Sequence, residues 1–166
     1  MPKNTMFSFT SIPRNTKELS EMPEYSMKSP FARAALTVLV LCQYAISPDD
    51  TIEMLNLLSG PSALSSAEIS KMQKKLNGHE YIPYSFFENA VPANGYEPSL
   101  PFLIAVKDTA FSYNEPGYVT LYVKSSGAQT PRLIQLRKKE STEEWFLWHH
   151  DLLDPIEEPQ RYDPYK

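Results

Sequence analysis

The stretch Ser29-Pro-Phe-Ala-Arg-Ala-Ala-Leu-Thr-Val-Leu-Val-Leu-Cys-Gln-Tyr-Ala-Ile46 decides the fold of this sequence. Ser29 is a favoured N-cap residue, and Pro30 fits the first helical position. The residues from Phe31 to Ile46 are apolar nearly all round, which predicts a helix buried at the centre of the domain. Because this apolar run is shorter than the ~20 residues that cross a bilayer, we expect no membrane segment.

Two further helix starts follow this stretch. Ser47-Pro48 repeats the combination of cap and proline, and the acidic residues after it favour a helix N-terminus. Ser65 and Glu68 have the spacing of a capping box. Each start is followed by apolar residues at helical spacing, namely Ile52, Leu55 and Leu58 in one case and Ile69, Met72 and Leu76 in the other. The sequence therefore predicts three helices.

Beyond residue 101 the apolar period changes from that of a helix to two. Alternating apolar residues predict strands that begin near Phe102, Tyr118, Leu133 and Glu144. Glu115-Pro-Gly-Tyr118 fits a type II turn between the first two. Helices followed by strands indicate the α+β class, here with a mostly antiparallel four-stranded meander sheet.

The flanks of this core differ from it in composition. We predict an extended N-terminal arm over residues 1–28, a single α+β domain over residues 29–153 and an acidic, proline-rich, extended tail over residues 154–166. Phe7 and Phe9 share one side of the arm. The pair predicts an added edge strand, with a mobile terminus as a close alternative that stays open.

The overall composition excludes some classes of protein. The chain has 166 residues, which suits one domain, and a net charge of −4, which is unfavourable for a nucleic-acid binder. Its single cysteine, Cys42, lies in the apolar stretch and is expected to be buried and inert. The N-terminal sequence lacks the apolar core of a signal peptide, so we expect a cytoplasmic protein.

No combination of residues in the sequence predicts catalysis. The glycines are too far apart for a phosphate-binding loop, and no nucleophile has an evident base. His149 and His150 are adjacent, so on a strand they point to opposite faces and do not form a metal site. We therefore expect no catalytic residue, no metal and no cofactor.

The C-terminal half has an uneven charge distribution. Residues 118–139 contain five cationic side chains and no acidic one, whereas residues 140–166 are strongly acidic. The simpler interpretation is cross-strand pairing of the residues from Arg137 to Lys139 with Glu140, Glu143 and Glu144. The alternative is a basic hairpin that binds an anionic partner, with the acidic tail as an internal competitor.

The connection between the helices and the sheet is rich in aromatic residues and proline. Most of its phenylalanines are expected in the core. The candidates for an exposed ligand-binding surface are the tyrosines next to proline, glycine or asparagine, namely Tyr81, Tyr84, Tyr96 and Tyr113. Tyrosine offers apolar area and a hydroxyl at low entropic cost, which suits binding.

Four stretches together resemble one family. They are Ser29 to Cys42, Glu53-Met-Leu-Asn-Leu-Leu-Ser-Gly-Pro61, Tyr113-Asn-Glu-Pro-Gly-Tyr118, and Pro131 to Trp148, which ends in Trp-Phe-Leu-Trp. The chain is similar to an uncharacterised family of small bacterial proteins, common in gut Firmicutes and catalogued as a domain of unknown function. The resemblance implies no activity, cofactor or catalytic residue.

Two functions from different classes remain. The first is a non-enzymatic binding or protein-interaction module for a protein or a small ligand, because no set of residues supplies a nucleophile, an oriented base or a metal. The second is a small cofactor-independent hydrolase or isomerase with a cavity between the helices and a curved sheet. A cavity of several hundred cubic ångströms with a titratable group of shifted pKa would favour the enzyme.

Overall fold

The computed structural model describes residues 2–26 and 28–160 and has the predicted α+β class. Within these residues there are four α-helices and five strands. In chain order they are β1 (Asn4–Phe9), α1 (Thr16–Glu21), α2 (Pro30–Leu41), α3 (Pro48–Ser59), α4 (Ser66–Leu76), β2 (Phe102–Lys107), β3 (Tyr118–Val123), β4 (Arg132–Lys139) and β5 (Glu144–His150).

The helix starts follow the predicted caps. The hydroxyl of Ser29 accepts a hydrogen bond from the backbone N–H of Ala32, and that of Ser47 accepts one from Asp50. Ser65 and Glu68 form the complete capping box of α4. Each bond satisfies an N–H that has no partner within its own helix.

Helix α2 is the centre of the fold. All its residues from Phe31 to Leu41 are buried, and it contacts α3 and each of the five strands. Its α-helical part ends earlier than predicted. The chain continues as a 3₁₀ turn over Cys42–Ala45, and Ile46 is 76% exposed.

The prediction of three helices and four strands is wrong in both numbers, because the described residues form four α-helices and five strands. The sheet has the order β1-β2-β3-β4-β5 with antiparallel neighbours throughout. The added strand β1 comes from the arm, where Phe9 lies opposite Phe102 and Asn4 lies opposite Lys107. Of the two alternatives for Phe7 and Phe9, the structure has the edge strand. The added helix, α1, is capped by the Asn15 side chain.

The core lies between α2 and one face of the sheet. Buried residues alternate along β2, β3 and β4, as in Ile104 and Val106 or Val119 and Leu121. No described helix is long and apolar enough to cross a membrane.

Candidate functional site

Three of the four candidate tyrosines lie around one open cavity of about 430 Å³. Tyr81, Tyr84 and Tyr96 line it together with Phe102, and we call it the tyrosine cavity. Tyr113 lies in the loop between β2 and β3, where its hydroxyl donates to Asp108 at 2.8 Å. The structure therefore brings three of the candidates together and leaves the fourth apart.

Short turns between α4 and β2 position these rings. The connection contains two 3₁₀ turns, Pro83–Phe86 and Pro92–Asn94. The Asn94 side chain accepts hydrogen bonds from the backbone N–H of Val91 and from that of Glu97, which closes the second turn. Gly95 and Tyr96 then adopt left-handed backbone angles, with φ of 69° and 57°. This conformation is uncommon for a residue with a Cβ, so the contacts of the Tyr96 ring must compensate for it.

Tyr96 is buried, and the expectation that it belongs to an exposed surface is wrong. Its side chain is 2% exposed, and its ring stacks on Tyr81 with centroids 5.6 Å apart and planes 7° apart. Its hydroxyl donates to the Glu157 carbonyl at 2.5 Å. Burial raises the pKa of Tyr96 to about 12, so the hydroxyl stays protonated at neutral pH. Tyr96 is the rigid base of the cavity.

Tyr81 and Tyr84 are half-buried and form the accessible part of the wall. The Tyr84 hydroxyl donates to the Cys42 carbonyl at 3.2 Å, and burial raises its pKa to about 12. The Tyr84 ring meets Phe87 edge to face, and Phe87 in turn stacks on Phe102 at 5.0 Å. The wall therefore consists of two groups of contacting rings, Tyr81 with Tyr96 and Tyr84 with Phe87 and Phe102.

The rim of the tyrosine cavity carries negative charge. Glu80 and the exposed Glu97 line it, and its described lining contains no lysine or arginine. Pro98 and Ala45 add apolar surface at the edge. The arrangement can hold an apolar group against the rings and a cation at the rim.

Sequence reasoning missed a second aromatic group, around Trp148. This side chain is 42% exposed, and its ring meets Tyr118 edge to face at 6.1 Å. Gln135 lies opposite His149 and Leu136 opposite Leu147, so Trp148 is the extra residue of a β-bulge. A signal was present in Trp145-Phe-Leu-Trp148, because four large apolar residues in a row on a strand cannot all face one core.

One of the two histidines at the end of β5 is held by a backbone hydrogen bond. Nδ1 of His150 accepts a hydrogen bond from the backbone N–H of Leu152 at 3.1 Å, and burial lowers the pKa of His150 to about 4. The cavity beside His149 and His150 measures only about 150 Å³. No described residues form a group of three potential metal ligands. Cys42 is buried, as expected, and burial raises the pKa of its thiol.

The predicted pairing of opposite charges is absent from the hairpin of β4 and β5. Among the described residues, 2–26 and 28–160, the ion pairs are Arg14 with Glu18 and Lys75 with Asp154. The described part of the acidic tail contacts the basic segment through its backbone, since Nη2 of Arg132 donates to the Pro155 carbonyl at 2.9 Å. The N–H of Glu157 donates to the Gly127 carbonyl, and the N–H of Gln160 donates to the Pro92 carbonyl. Residues 161–166 of the predicted tail lie outside the described part of the chain.

No curated protein and no solved structure matches this chain. One family model does match, over residues 11–160, and it is described as a domain of unknown function (DUF6935). The match spans about nine-tenths of the sequence and includes all four α-helices and β2 to β5. The chain therefore belongs to the DUF6935 family.

Proposed function

We propose that the protein is a non-enzymatic binding module that takes a basic, proline-containing peptide segment of a partner protein in the tyrosine cavity. The observation that carries this proposal is the gathering of Tyr81, Tyr84 and Tyr96 around one open cavity of about 430 Å³. Residues from two separated turns form a single aromatic wall there.

The chemistry of the wall favours proline and aliphatic side chains. Grooves lined by aromatic rings bind proline-rich segments because such segments are already extended and lose little entropy on binding. The hydroxyls of Tyr84 and Tyr96 stay protonated at neutral pH, and each already donates to a backbone carbonyl. What the wall offers a ligand is therefore mainly ring surface.

The negative charge at the rim favours a ligand with positive charge. Glu80 and Glu97 flank the rings without a described cation among the lining residues, and the whole chain carries a net charge of −4. Complementary charge speeds association and rejects partners of the wrong sign. An arginine or lysine beside the proline satisfies both requirements.

The alternative, a small hydrolase or isomerase, requires a titratable group of shifted pKa inside a substrate-sized space. His150 has such a pKa, but the cavity beside it is about 150 Å³, smaller than the 300–1,000 Å³ typical of ligand sites. The tyrosine cavity is large enough, but the hydroxyls of Tyr84 and Tyr96, with pKa about 12, are poor bases. A binding function requires no titratable group in either cavity, so we prefer it to catalysis. The bacterial origin and the cytoplasmic location stay predictions.

Selection from a random peptide library on the immobilised protein tests the proposal. We expect enrichment of peptides that combine proline with arginine or lysine, and calorimetry then gives their affinities. Tyr81→Ala should weaken binding about tenfold, as loss of one aromatic contact in a small interface does. Phe111→Ala, which removes a 77% exposed ring outside the cavity, should leave binding unchanged.

Glu97→Lys is the second variant, because an exposed residue can be changed without affecting the core. It should weaken basic peptides while the thermal unfolding midpoint stays the same. Enrichment of acidic peptides, or equal affinities of the wild type and both cavity variants, would refute the proposal.

A further inference from the structure

A second cavity, of about 410 Å³, lies between the hairpin of β4 and β5 and the end of α3. It is independent of the tyrosine cavity and has the opposite charge. Its lining includes Arg137, Lys138 and Lys139 from β4 and the rings of Phe146 and Trp148 from β5. We call it the hairpin cavity.

Arg137 is oriented by aromatic rings rather than by a carboxylate. Its guanidinium carbon lies 4.7 Å from the centroid of Trp148 and 5.5 Å from that of Tyr118. Its guanidinium forms no ion pair with the other described residues. A guanidinium stacked on rings has its plane fixed, so its N–H donors stay available for an anionic group.

The acidic residues near the hairpin cavity leave this positive charge largely uncompensated. Glu140 lines the cavity but forms no ion pair within the described residues. Glu144 acts electrostatically on the buried Arg33, whose pKa it raises against the larger lowering effect of burial. Asp154 pairs with Lys75 at 2.8 Å and does not line the hairpin cavity. Three cations therefore face one lining carboxylate.

The shape and chemistry of the lining favour a particular class of anion. Trp148 is 42% exposed, so the cavity offers apolar ring surface as well as charge. Ser59 is the last residue of α3, and the partial negative charge of a helix C-terminus disfavours a compact dianion such as phosphate. Several carboxylates spread along a chain avoid that position and still reach the cations.

We propose that the hairpin cavity binds an acidic peptide segment of a partner protein in which glutamate or aspartate alternates with apolar residues. Its carboxylates pair with Arg137 and Lys139, and an apolar side chain packs on Trp148. The partner is thus recognised by charge and by one aromatic contact.

Calorimetric titration of the full chain with a short peptide of alternating glutamate and leucine tests this proposal. We expect saturable binding that weakens as salt is added, because exposed charges are screened. Arg137→Gln should weaken binding about tenfold, as loss of one charged contact does, and Lys139→Gln should weaken it by a smaller factor. Lys107→Gln removes an exposed lysine at the end of β2 and should leave the affinity unchanged.

Thermal unfolding checks that each variant keeps its fold. If Arg137→Gln fails to fold, Lys139→Gln, at an exposed site, still tests the proposal. Equal affinity of Lys139→Gln and wild type would overturn the proposal. So would pyrophosphate binding as tightly as the peptide, which would indicate a phosphate site, or peptide-free self-association abolished by the same variants, which would indicate a second copy of the chain.

Discussion

Phe146 is the residue through which the edge of the sheet meets two helices. Its ring lies against Gly60, at the end of α3, and its centroid is 5.7 Å from the guanidinium carbon of Arg33 in α2. Arg33 also lies 4.8 Å from the ring centroid of Tyr25, and it is only 5% exposed. Burial of this charge is tolerated because two rings face it, and burial lowers the pKa of Arg33. The Phe146 ring therefore packs closely on the backbone at the end of α3.

Gly60→Ala tests this packing, with Gly78→Ala as the matched control. Both glycines have left-handed φ angles, 62° and 83°, so both substitutions introduce backbone strain. A Cβ at Gly60 would overlap the Phe146 ring, whereas nothing lies within 4 Å of a Cβ at Gly78. We expect Gly60→Ala to lower the free energy of unfolding by roughly 1–3 kcal/mol more than Gly78→Ala, measured in urea. Equal losses would show that the ring moves aside.

The burial of His150 predicts that the free energy of unfolding depends on pH. Its pKa is about 4 in the folded chain because of burial, against 6.5 for the free side chain. Between these values the unfolded chain binds more protons than the folded one, so the free energy of unfolding falls as the pH drops from 6.5 to 4. The total loss is roughly 3 kcal/mol, and the contribution of His150 levels off at lower pH.

His150→Asn keeps an acceptor for the Leu152 N–H and removes the titration. The variant should lose less stability than the wild type between pH 7 and pH 4 in denaturant unfolding. His79→Asn, at an exposed histidine, is the control and should behave like the wild type. The assignment to His150 fails if both variants have the same dependence on pH.

At the scale of elements, local signals predicted most of the fold and long-range contacts decided the rest. The caps at Ser29, Ser47 and Ser65 predicted the starts of α2, α3 and α4, because a cap acts within one turn. The strand β1 was favoured only slightly over a mobile terminus, since its partner β2 lies far along the chain. The burial of Tyr96 depends on Glu157, which no local pattern connects to it.

Leu39→Ala tests the central position of α2. Leu39 is fully buried, so the substitution removes apolar contacts and leaves a cavity. We expect the free energy of unfolding to fall by about 2–5 kcal/mol in urea. Ile46→Ala, at a 76% exposed position just beyond the 3₁₀ turn, should cost far less. A loss below about 1 kcal/mol for Leu39→Ala would contradict the central role of this helix.

For the whole molecule, the residues after β5 close the structure. They cross from Lys75, which pairs with Asp154, past Gly127 and Tyr96 to Pro92. Ile156 packs on the core along this path. The described part of the tail is thus bound to the body of the protein and supports the floor of the tyrosine cavity. The described tail could compete with an anionic ligand of the basic hairpin only after it had detached from the body of the protein.

A chain that ends at Leu153 tests this role of the tail. It loses the backbone hydrogen bonds donated by residues 154, 157 and 160, the ion pair with Lys75, the acceptors of Arg132 and of the Tyr96 hydroxyl, and the contacts of Ile156. We expect the free energy of unfolding to fall by about 2–4 kcal/mol, because hydrogen bonds of about 1 kcal/mol each and one apolar side chain are lost. A chain that ends at Gln160 keeps all these contacts and is the control. Equal stability of the two chains would show that the tail contributes nothing.

The antiparallel pairing of β1 with β2 has a consequence for synthesis of the chain on the ribosome. Phe9 must meet Phe102, so more than ninety residues have to be translated after β1 before its partner exists. At roughly 5–20 residues per second this interval lasts seconds, far longer than the microseconds in which a local hairpin forms. The helices can form during the wait, whereas Phe7 and Phe9 stay without their strand. The first strand of this sheet to be translated is therefore among the last to be paired.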